Sequence, residues 1–278
     1  MYLLNRGSPG RHVHFLHIAT GGRKGFAMPS GVYAAANAMI TESRALESVA
    51  NNLANVQTPG YRKEVALRED FAQVLAANNG GIGPIGVSSV YHSFTQGRLE
   101  ETHAPLDLAL TGEGFYRVRD PQGGLALSRA AHFSTDPSGR LVTDDGWAVE
   151  GQAGPIEIPP EANTVIVDQS GRVYAQSRDE KGTPVETFID QLRVVTVADP
   201  GAMRARNGTY FDPGDQAQTD ATSGQFAVRQ GWIENANVDS VQELVTMISI
   251  QRRYDAAQKA MRQQDEAGRG FSDLLRGA

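Results

Sequence analysis

Two pairs of adjacent acidic residues are the side chains in this sequence that could carry out hydrolysis. Asp144 and Asp145 precede Gly146, and Glu100 and Glu101 follow Leu99. A carboxylic acid and a carboxylate at the right separation can cleave a glycosidic bond as acid and nucleophile. Asp-Gly between two strand candidates is also the expected signal for a hairpin turn, so the sequence favours a turn at Asp144 and Asp145. A cell-wall glycan hydrolase stays open as an alternative.

The remaining motifs for cofactor or metal chemistry are incomplete. The run 112–114 reads Gly-Glu-Gly, but it lacks the third glycine of a dinucleotide loop and is followed by strand residues, so it predicts a tight turn. Lys24 lies in a glycine-rich run without the Ser or Thr that completes a phosphate loop. Three histidines lie in an aperiodic tract that offers a metal no preorganised geometry, and they are His12, His14 and His17. The sequence therefore predicts no catalytic residue, no cofactor and no metal site.

Composition narrows the possible classes of function further. The 278 residues carry a formal net charge of −6, which argues against a general nucleic-acid binder because no excess of cations exists to neutralise phosphates. The chain contains no cysteine, which removes disulfides, thiolate zinc sites and thiol nucleophiles. No apolar run approaches the roughly 20 residues that a membrane-spanning helix needs. The sequence predicts neither a nucleic-acid partner nor a membrane span.

Apolar spacing near the N-terminus predicts an amphipathic helix. One row of apolar residues recurs every seven positions, at Val32, Met39, Leu46 and Leu53. A second row contains Ala35, Val49 and Val56, and Glu42 breaks it. Two such rows form the seam of a helix that packs against a partner helix.

The first helix is predicted to end abruptly near Val56. Pro59 cannot continue the hydrogen-bond ladder and disfavours helical geometry at Thr58, and Gly60 can take a positive φ. Asn51, Asn52 and Asn55 are poor helix formers. Asparagines near a helix end most often hydrogen bond to backbone groups there, so capping is the simplest interpretation.

A second helix is predicted near the C-terminus, capped by Asn237 or Asp239. Apolar residues lie on one stripe of this helix, and they are Val241, Leu244, Val245 and Ile248. Met247, Tyr254 and Met261 follow at seven-residue spacing. Gly268 and Gly270 are expected to end the helix after Glu266.

Between the two helices the sequence is dense in strand signals, and Asp-x-x-Gly runs at 120–123, 136–139 and 168–171 predict turns between the strands. A short helix is expected at 71–77, a glycine-rich connector at 78–86, and alternating apolar residues at 87–94. The strand candidates lie at 115–118, 126–128, 141–143, 147–150, 156–158, 165–167, 173–175 and 192–197. The expected fold is therefore α+β, in which terminal helices pack as a coiled-coil-like pair beside a mainly β middle domain.

Four runs of sequence resemble the bacterial flagellar axial proteins, the family of rod and hook subunits. The first run is ANNLANVQTPGYR at 50–62, and the second is QGRL at 96–99 followed by PLDLALTGEGF at 105–115. The third is FSTDPSGRLVTDDGWAVEG at 133–151, and the last is QGWIENANVDSV at 230–241, followed by MISIQRRYDAAQKAM at 247–261. The run GQAGPIEIPP at 151–160 and the short chain resemble the rod proteins more than the hook protein, the proximal rod first and the distal rod second.

The resemblance implies a structural subunit of the basal-body rod and not an enzyme. It implies export by the flagellar secretion apparatus, location in the periplasm-spanning rod, and assembly with other rod and hook subunits as a helical homo- or hetero-oligomer. The residues expected to form the assembly interface are Val32, Met39, Leu46, Val49, Leu53, Val56, Val241, Leu244, Val245, Ile248, Tyr254 and Met261. The residues expected to carry the family motif are Asn51, Asn52, Asn55, Thr58, Pro59 and Gly60.

Six segments follow from these patterns. Residues 1–27 match nothing in the family and are expected to be a disordered extension or to reflect a start codon assigned too far upstream. The others are a first axial helix at 28–60, a linker at 61–86, a β-rich body at 87–229, a second axial helix at 230–266 and a tail at 267–278. A secreted β-domain adhesin with helical arms is a third functional alternative.

Overall fold

A computed structural model of the protein describes residues 30–67, 90–179, 182–207, 209–222 and 224–276. Helix α1 spans Ser30–Ala54 and helix α2 spans Ser240–Arg276, and the segment between them is mainly β. This confirms the α+β prediction. The expected short helix at 71–77, the connector at 78–86 and the N-terminal residues 1–27 lie outside the described residues.

The described strands are short. They are β1 (Glu64–Ala66), β2 (Val90–His92), β3 (Leu99–Glu101), β4 (Leu108–Gly112), β5 (Phe115–Arg119), β6 (Leu125–Ser128), β7 (Phe133–Thr135), β8 (Leu141–Thr143), β9 (Ala148–Val149), β10 (Thr164–Val167), β11 (Arg172–Arg178), β12 (Pro184–Gln191), β13 (Val194–Val197), β14 (Arg204–Asn207), β15 (Tyr210–Asp212), β16 (Gln218–Asp220), β17 (Phe226–Gln230) and β18 (Trp232–Glu234). Strands β3 to β18 form the part of the molecule called the β body below.

Within the described residues the strands make four sheets. The largest runs β14-β15-β6-β5-β9-β8-β7, with β13 joined to β5 and to β16. A second sheet runs β17-β4-β18-β3, a third runs β10-β11-β12, and β1 pairs with β2. One cluster of buried side chains joins the first three sheets through residues such as Leu108, Tyr116 and Val173. The β body therefore has a continuous core.

Most of the predicted strands are confirmed, but the candidate at 156–158 is wrong. This stretch makes only isolated bridges, in which Glu157 faces Arg140 and Pro155 faces Glu150. Proline has no N–H to donate and restricts the residue before it. Because prolines flank the stretch at Pro155 and Pro159, it cannot extend into a ladder.

The Asp-x-x-Gly turns form as the sequence predicts. In the turn between β10 and β11, the Oδ1 atom of Asp168 accepts hydrogen bonds from the backbone N–H groups of Ser170 and Arg172, and Gly171 takes a φ of 82°. Burial raises the pKa of Asp168, but the hydrogen bonds from Ser170 and Arg172 outweigh burial, so its pKa lies below the usual value. The aspartate is thus an ionised acceptor that holds the turn.

The two helices pack against each other in antiparallel orientation. Glu42 of α1 pairs with Arg253 of α2, and Asn52 further along α1 contacts Glu243 at the start of α2. Asp239 caps α2, because its Oδ1 atom accepts hydrogen bonds from the N–H groups of Val241 and Gln242. One of the two predicted caps is therefore confirmed.

The ends of the predicted helices need correction. Helix α1 ends at Ala54, two residues before the predicted end. Gln230 and residues 232–234, assigned to the second helical segment, lie in β17 and β18. Helix α2 does not stop at Glu266 but continues through Gly268 and Gly270 to Arg276. A glycine ends a helix when it adopts positive φ, which neither glycine does, and an ion pair between Asp265 and Arg269 spans Gly268.

Candidate functional site

The contact between α1 and α2 is small, apolar and flanked by charge. Ala45 and Val49 of α1 are buried against Ile250 of α2, with Leu46 and Met247 beside them. Residues spaced by three or four along α2 lie on one face of the helix, so this inward face continues from Met247 through Ile250 to Tyr254. The inward face joins the helices into a unit that is called the helix pair below.

Glu42, which was expected to break the second apolar row, lies on the contact face. Its carboxylate is largely buried, and its Oε1 atom accepts a hydrogen bond from the Nε atom of Arg253 at 2.9 Å. A buried charge is tolerated when it is paired and hydrogen-bonded. The row is therefore continuous from Ala35 to Val49, with an ion pair in the middle.

Most of the remaining predicted interface residues are neither fully buried nor fully exposed. Those that are half-buried are Val32, Met39, Leu46, Leu53, Val56, Tyr254 and Met261. Met39, Tyr254 and Met261 line one groove between the two helices. The first apolar row of α1 therefore borders the helix contact instead of forming its centre.

Four predicted residues at the start of α2 face away from α1. Val241, Leu244, Val245 and Ile248 are 69%, 47%, 54% and 51% exposed. Their spacing of i, i+3, i+4 and i+7 places them on one face, distinct from the inward face that contains Glu243 and Met247. This set is called the outer stripe. It is an apolar surface that no described residue covers.

Asn52 connects three parts of the molecule and is fully buried. Its side-chain amide pairs with both backbone groups of Glu64, since Oδ1 accepts from the N–H at 2.7 Å and Nδ2 donates to the carbonyl at 2.9 Å. Nδ2 also lies 3.3 Å from Oε2 of Glu243, and the hydroxyl of Tyr61 donates to Oδ1. Burial raises the pKa of Tyr61, and the carboxylates of Glu64 and Glu243 add to the effect, which keeps this hydroxyl a donor.

Of the other two asparagines, Asn51 reaches β1, where its Nδ2 atom donates to Oε2 of Glu64 at 3.3 Å, and Asn55 acts locally, as the capping interpretation predicts. The Nδ2 atom of Asn55 donates to the carbonyl of Asn51, and the hydroxyl of Thr58 donates to Oδ1 of Asn55. These contacts satisfy groups at the end of α1. Capping therefore explains Asn55 but not Asn52, whose partners lie on β1 and α2.

Gly60 brings the end of α1 against the β body. It takes a φ of 73°, and its N–H donates to the carbonyl of Glu234 at 2.7 Å. A Cβ atom at this position would lie 2.4 Å from the backbone nitrogen of Ala130. Only glycine therefore fits both the backbone conformation and the space.

Next to Gly60 lies a buried charge cluster that the sequence analysis missed. The Nη2 atom of Arg62 contacts Oε1 of Glu234 at 2.9 Å, and both side chains are fully buried. Nη1 of Arg129 lies 3.5 Å from Oε2 of Glu234 and also donates to the carbonyl of Leu110. This cluster, called the junction, consists of Arg62, Arg129 and Glu234. The sequence could have pointed to two of these residues, because Arg62 and Glu234 each lie within a family motif quoted above.

A second polar link lies between the junction and α2. Lys63 contacts the buried carboxylate of Glu243 at 2.5 Å, and the Lys63 N–H donates to Oδ1 of Asn237. The Nδ2 atom of Asn237 donates to the carbonyls of Ser93 and Thr95. The motif after α1 and the motif before α2 are therefore hydrogen-bonded together, and they position the helix pair on the β body.

The acidic pairs do not form a hydrolytic site. Asp144 and Asp145 are exposed in the turn between β8 and β9, where the N–H of Gly146 donates to the carbonyl of Thr143. Glu100 accepts a hydrogen bond from Asn235, and Glu101 pairs with His103. The glycines at 112 and 114 lie in a tight turn between β4 and β5, as expected.

Comparison with protein families gives three matches in chain order. Residues 32–62 match the flagella basal body rod protein model, and residues 229–267 match the flagellar basal body rod FlgEFG protein C-terminal model. Residues 109–175 match the flagellar hook protein FlgE/F/G D1 domain. The first two matches contain most of the residues that join α1 and α2 to the β body.

Curated relatives match this chain over most of its length and over nearly all of their own. The flagellar basal-body rod protein FlgF of Caulobacter vibrioides is 32% identical over 252 residues, which cover 89% of this chain and 98% of the relative. FlgG of the same organism is 30% identical over 260 residues, which cover 86% and 97%. This chain belongs to the flagellar basal-body rod protein family. FlgG of Bacillus subtilis is 27% identical, and the match covers 90% of this chain and all of the relative.

Family membership decides between the functional alternatives. The chain is a structural, non-enzymatic subunit of the flagellar basal body, which overturns the hydrolase and adhesin alternatives. Relatives of both the FlgG and FlgF types match over most of the chain, so the order of proximal before distal rod stays a prediction. Within the described part of the chain, no helix is both long and apolar enough to cross a membrane.

Proposed function

We propose that this rod subunit builds the drive shaft by self-association through its helix pair. The chain leaves the cytoplasm through the flagellar export apparatus and joins other rod and hook subunits in a helical assembly that spans the periplasm. The helix pair of α1 and α2 acts as a coiled-coil-like unit and forms the axial part, and the β body projects from it. The resemblance of the four motifs and the match to rod proteins support this arrangement.

The main support for this proposal is the exposure of the outer stripe. Val241, Leu244, Val245 and Ile248 are each about half exposed or more, although the helix that carries them already buries another face against α1. Contiguous apolar surface of this kind marks an interaction site when polar residues surround it. Gln242, Asp239 and Arg252 are exposed next to it.

The free energy gained by burying the outer stripe can be compared with the free-energy cost of bringing two subunits together. Burying four half-exposed aliphatic side chains contributes roughly 1 kcal/mol each, or about 4 kcal/mol together. Association of two proteins costs about 4 to 15 kcal/mol in lost translational and rotational freedom. One stripe therefore cannot hold a pair of subunits alone. The other proposed interface residues that are only half-buried, such as Val32, Met39 and Met261, add contacts in an assembly with several neighbours.

The substitution Ile248→Asp tests this proposal in the purified full chain. The side chain is exposed in the monomer, so we expect a change of no more than about 0.5 kcal/mol in the free energy of unfolding. In an assembly, the new carboxylate is buried without a partner at a cost of roughly 2 to 5 kcal/mol. We expect parent chains to form sedimenting filaments, visible by negative-stain electron microscopy, and the variant to remain in the supernatant.

Gln263→Asp is the matched control. It introduces the same charge at another exposed position of α2, outside the outer stripe, and should sediment like the parent. Filaments of Ile248→Asp at the parent yield would refute an assembly role for the stripe, as would loss of assembly by both variants alike.

A further inference from the structure

A second apolar surface, which no residue in the described part of the chain covers, lies at the other end of the helix pair. It is a groove of about 310 Å³ between α1 and α2, lined by Ala36, Met39, Ile40, Ser43, Tyr254 and Met261. Ile40 is 52% exposed at its edge. This set is called the seam groove. It is continuous with the contact between the helices, because Tyr254 follows Ile250 on the inward face of α2.

The outer stripe and the seam groove lie at different heights and on different faces. The stripe is centred near Val245 and the groove near Ala257, about twelve residues further along α2. At 1.5 Å per residue, this separates the two surfaces by roughly 18 Å along the helix. They therefore cannot meet within one molecule.

We propose that the outer stripe of one copy packs into the seam groove of the next copy. The inference rests on the proposed self-assembly and names the contact that drives it. A cavity of about 150 Å³ holds a group the size of benzene, so the groove has room for roughly two aliphatic side chains. Leu244 and Ile248 are four residues apart on the exposed face of α2, so their side chains lie next to each other. These two side chains can therefore enter the groove together.

The positions of the two surfaces explain why such a contact propagates. When two different patches of the same chain bind each other, each copy keeps one patch free, and the assembly stays open unless the rotation closes a ring. Pairing of the outer stripe with a second outer stripe is self-complementary and yields a closed dimer. The stripe-to-groove contact is therefore the arrangement that agrees with a growing rod.

Cross-linking of single-cysteine variants tests the contact, because the natural chain has no cysteine. Ile248→Cys places a thiol on the outer stripe and Ser43→Cys places one in the seam groove. The two full-length variants are mixed, allowed to assemble and treated with a short bismaleimide. We expect the mixture to give cross-linked dimers that contain one copy of each variant. Their yield should be at least ten times the dimer yield from either variant alone.

Each outcome has a separate meaning. Cross-linked dimers from Ile248→Cys alone would indicate stripe-to-stripe pairing and overturn this inference while leaving self-assembly intact. The inference would also be overturned if the chains assemble but the mixture of Ile248→Cys and Ser43→Cys gives no more cross-linked dimer than a mixture of Gln263→Cys and Ser43→Cys. Failure of the parent chain to assemble would overturn the proposed function itself, and the inference with it.

Discussion

Replacing Glu234 with glutamine is expected to lower the free energy of unfolding by about 3 to 5 kcal/mol, although the side chain keeps its size. Glu234 is fully buried and is the carboxylate between Arg62 and Arg129. Burial lowers the pKa of Arg129, and the negative charge of Glu234 opposes this effect. Removing that charge leaves two buried guanidinium groups uncompensated, which is the costly way to break a buried ion pair.

Urea unfolding of the purified full chain, followed by circular dichroism, measures this effect. Glu186→Gln is the control, because Glu186 is exposed on β12 and should change the free energy of unfolding by less than about 0.5 kcal/mol. Glutamine can still accept hydrogen bonds from the N–H of Gly97 and from Arg62, so the difference reports the charge. Equal stability of the two variants would show that the junction does not depend on Glu234 being ionised.

Replacing Gly60 with alanine is expected to cost about 3 kcal/mol or more and to release the helix pair from the β body. The positive φ of 73° accounts for roughly 1 kcal/mol. The larger part comes from the Cβ atom, which would lie 2.4 Å from the nitrogen of Ala130 and 2.6 Å from its Cα atom. Because these are backbone atoms, the contact is relieved only by moving the chain.

Gly146→Ala separates the two contributions. Gly146 has a φ of 77°, almost the same as Gly60, but a Cβ atom there would meet nothing within 4 Å. We expect the control to lose only about 1 kcal/mol of unfolding free energy. Limited proteolysis should cut the Gly60 variant near Lys63 much faster than the control. Similar stability and similar cleavage in both variants would contradict the close packing of Gly60 against Ala130.

Features that depend on local sequence were predictable. The seven-residue spacing located both helices, and the Asp-x-x-Gly runs located turns, because helix faces and turns are set by residues close in sequence. Predictions based on a single residue type were less successful. Gly268 and Gly270 do not end α2, and the prolines around 156–158 prevent a strand that apolar spacing alone favoured.

Features that depend on contacts between residues distant in sequence could not be predicted from the sequence. The same apolar spacing describes both the inward face and the outer stripe of α2, and only the position of α1 decides which is covered. Glu42 looked like an interruption because Arg253, 211 residues away, was not visible as its partner. Asn52 looked like a helix cap because its amide bonds to Glu64 and Glu243 require the fold.

If the outer stripe is buried between subunits, a thiol placed on it becomes protected when the chain assembles. In Val245→Cys the new cysteine is the chain's sole thiol, at a position that is 54% exposed in the monomer. We expect this thiol to react rapidly with a maleimide in the monomer and at least tenfold more slowly after assembly, while Gln263→Cys reacts at similar rates in both states. Equal reaction rates of Val245→Cys before and after assembly would contradict burial of the stripe between subunits.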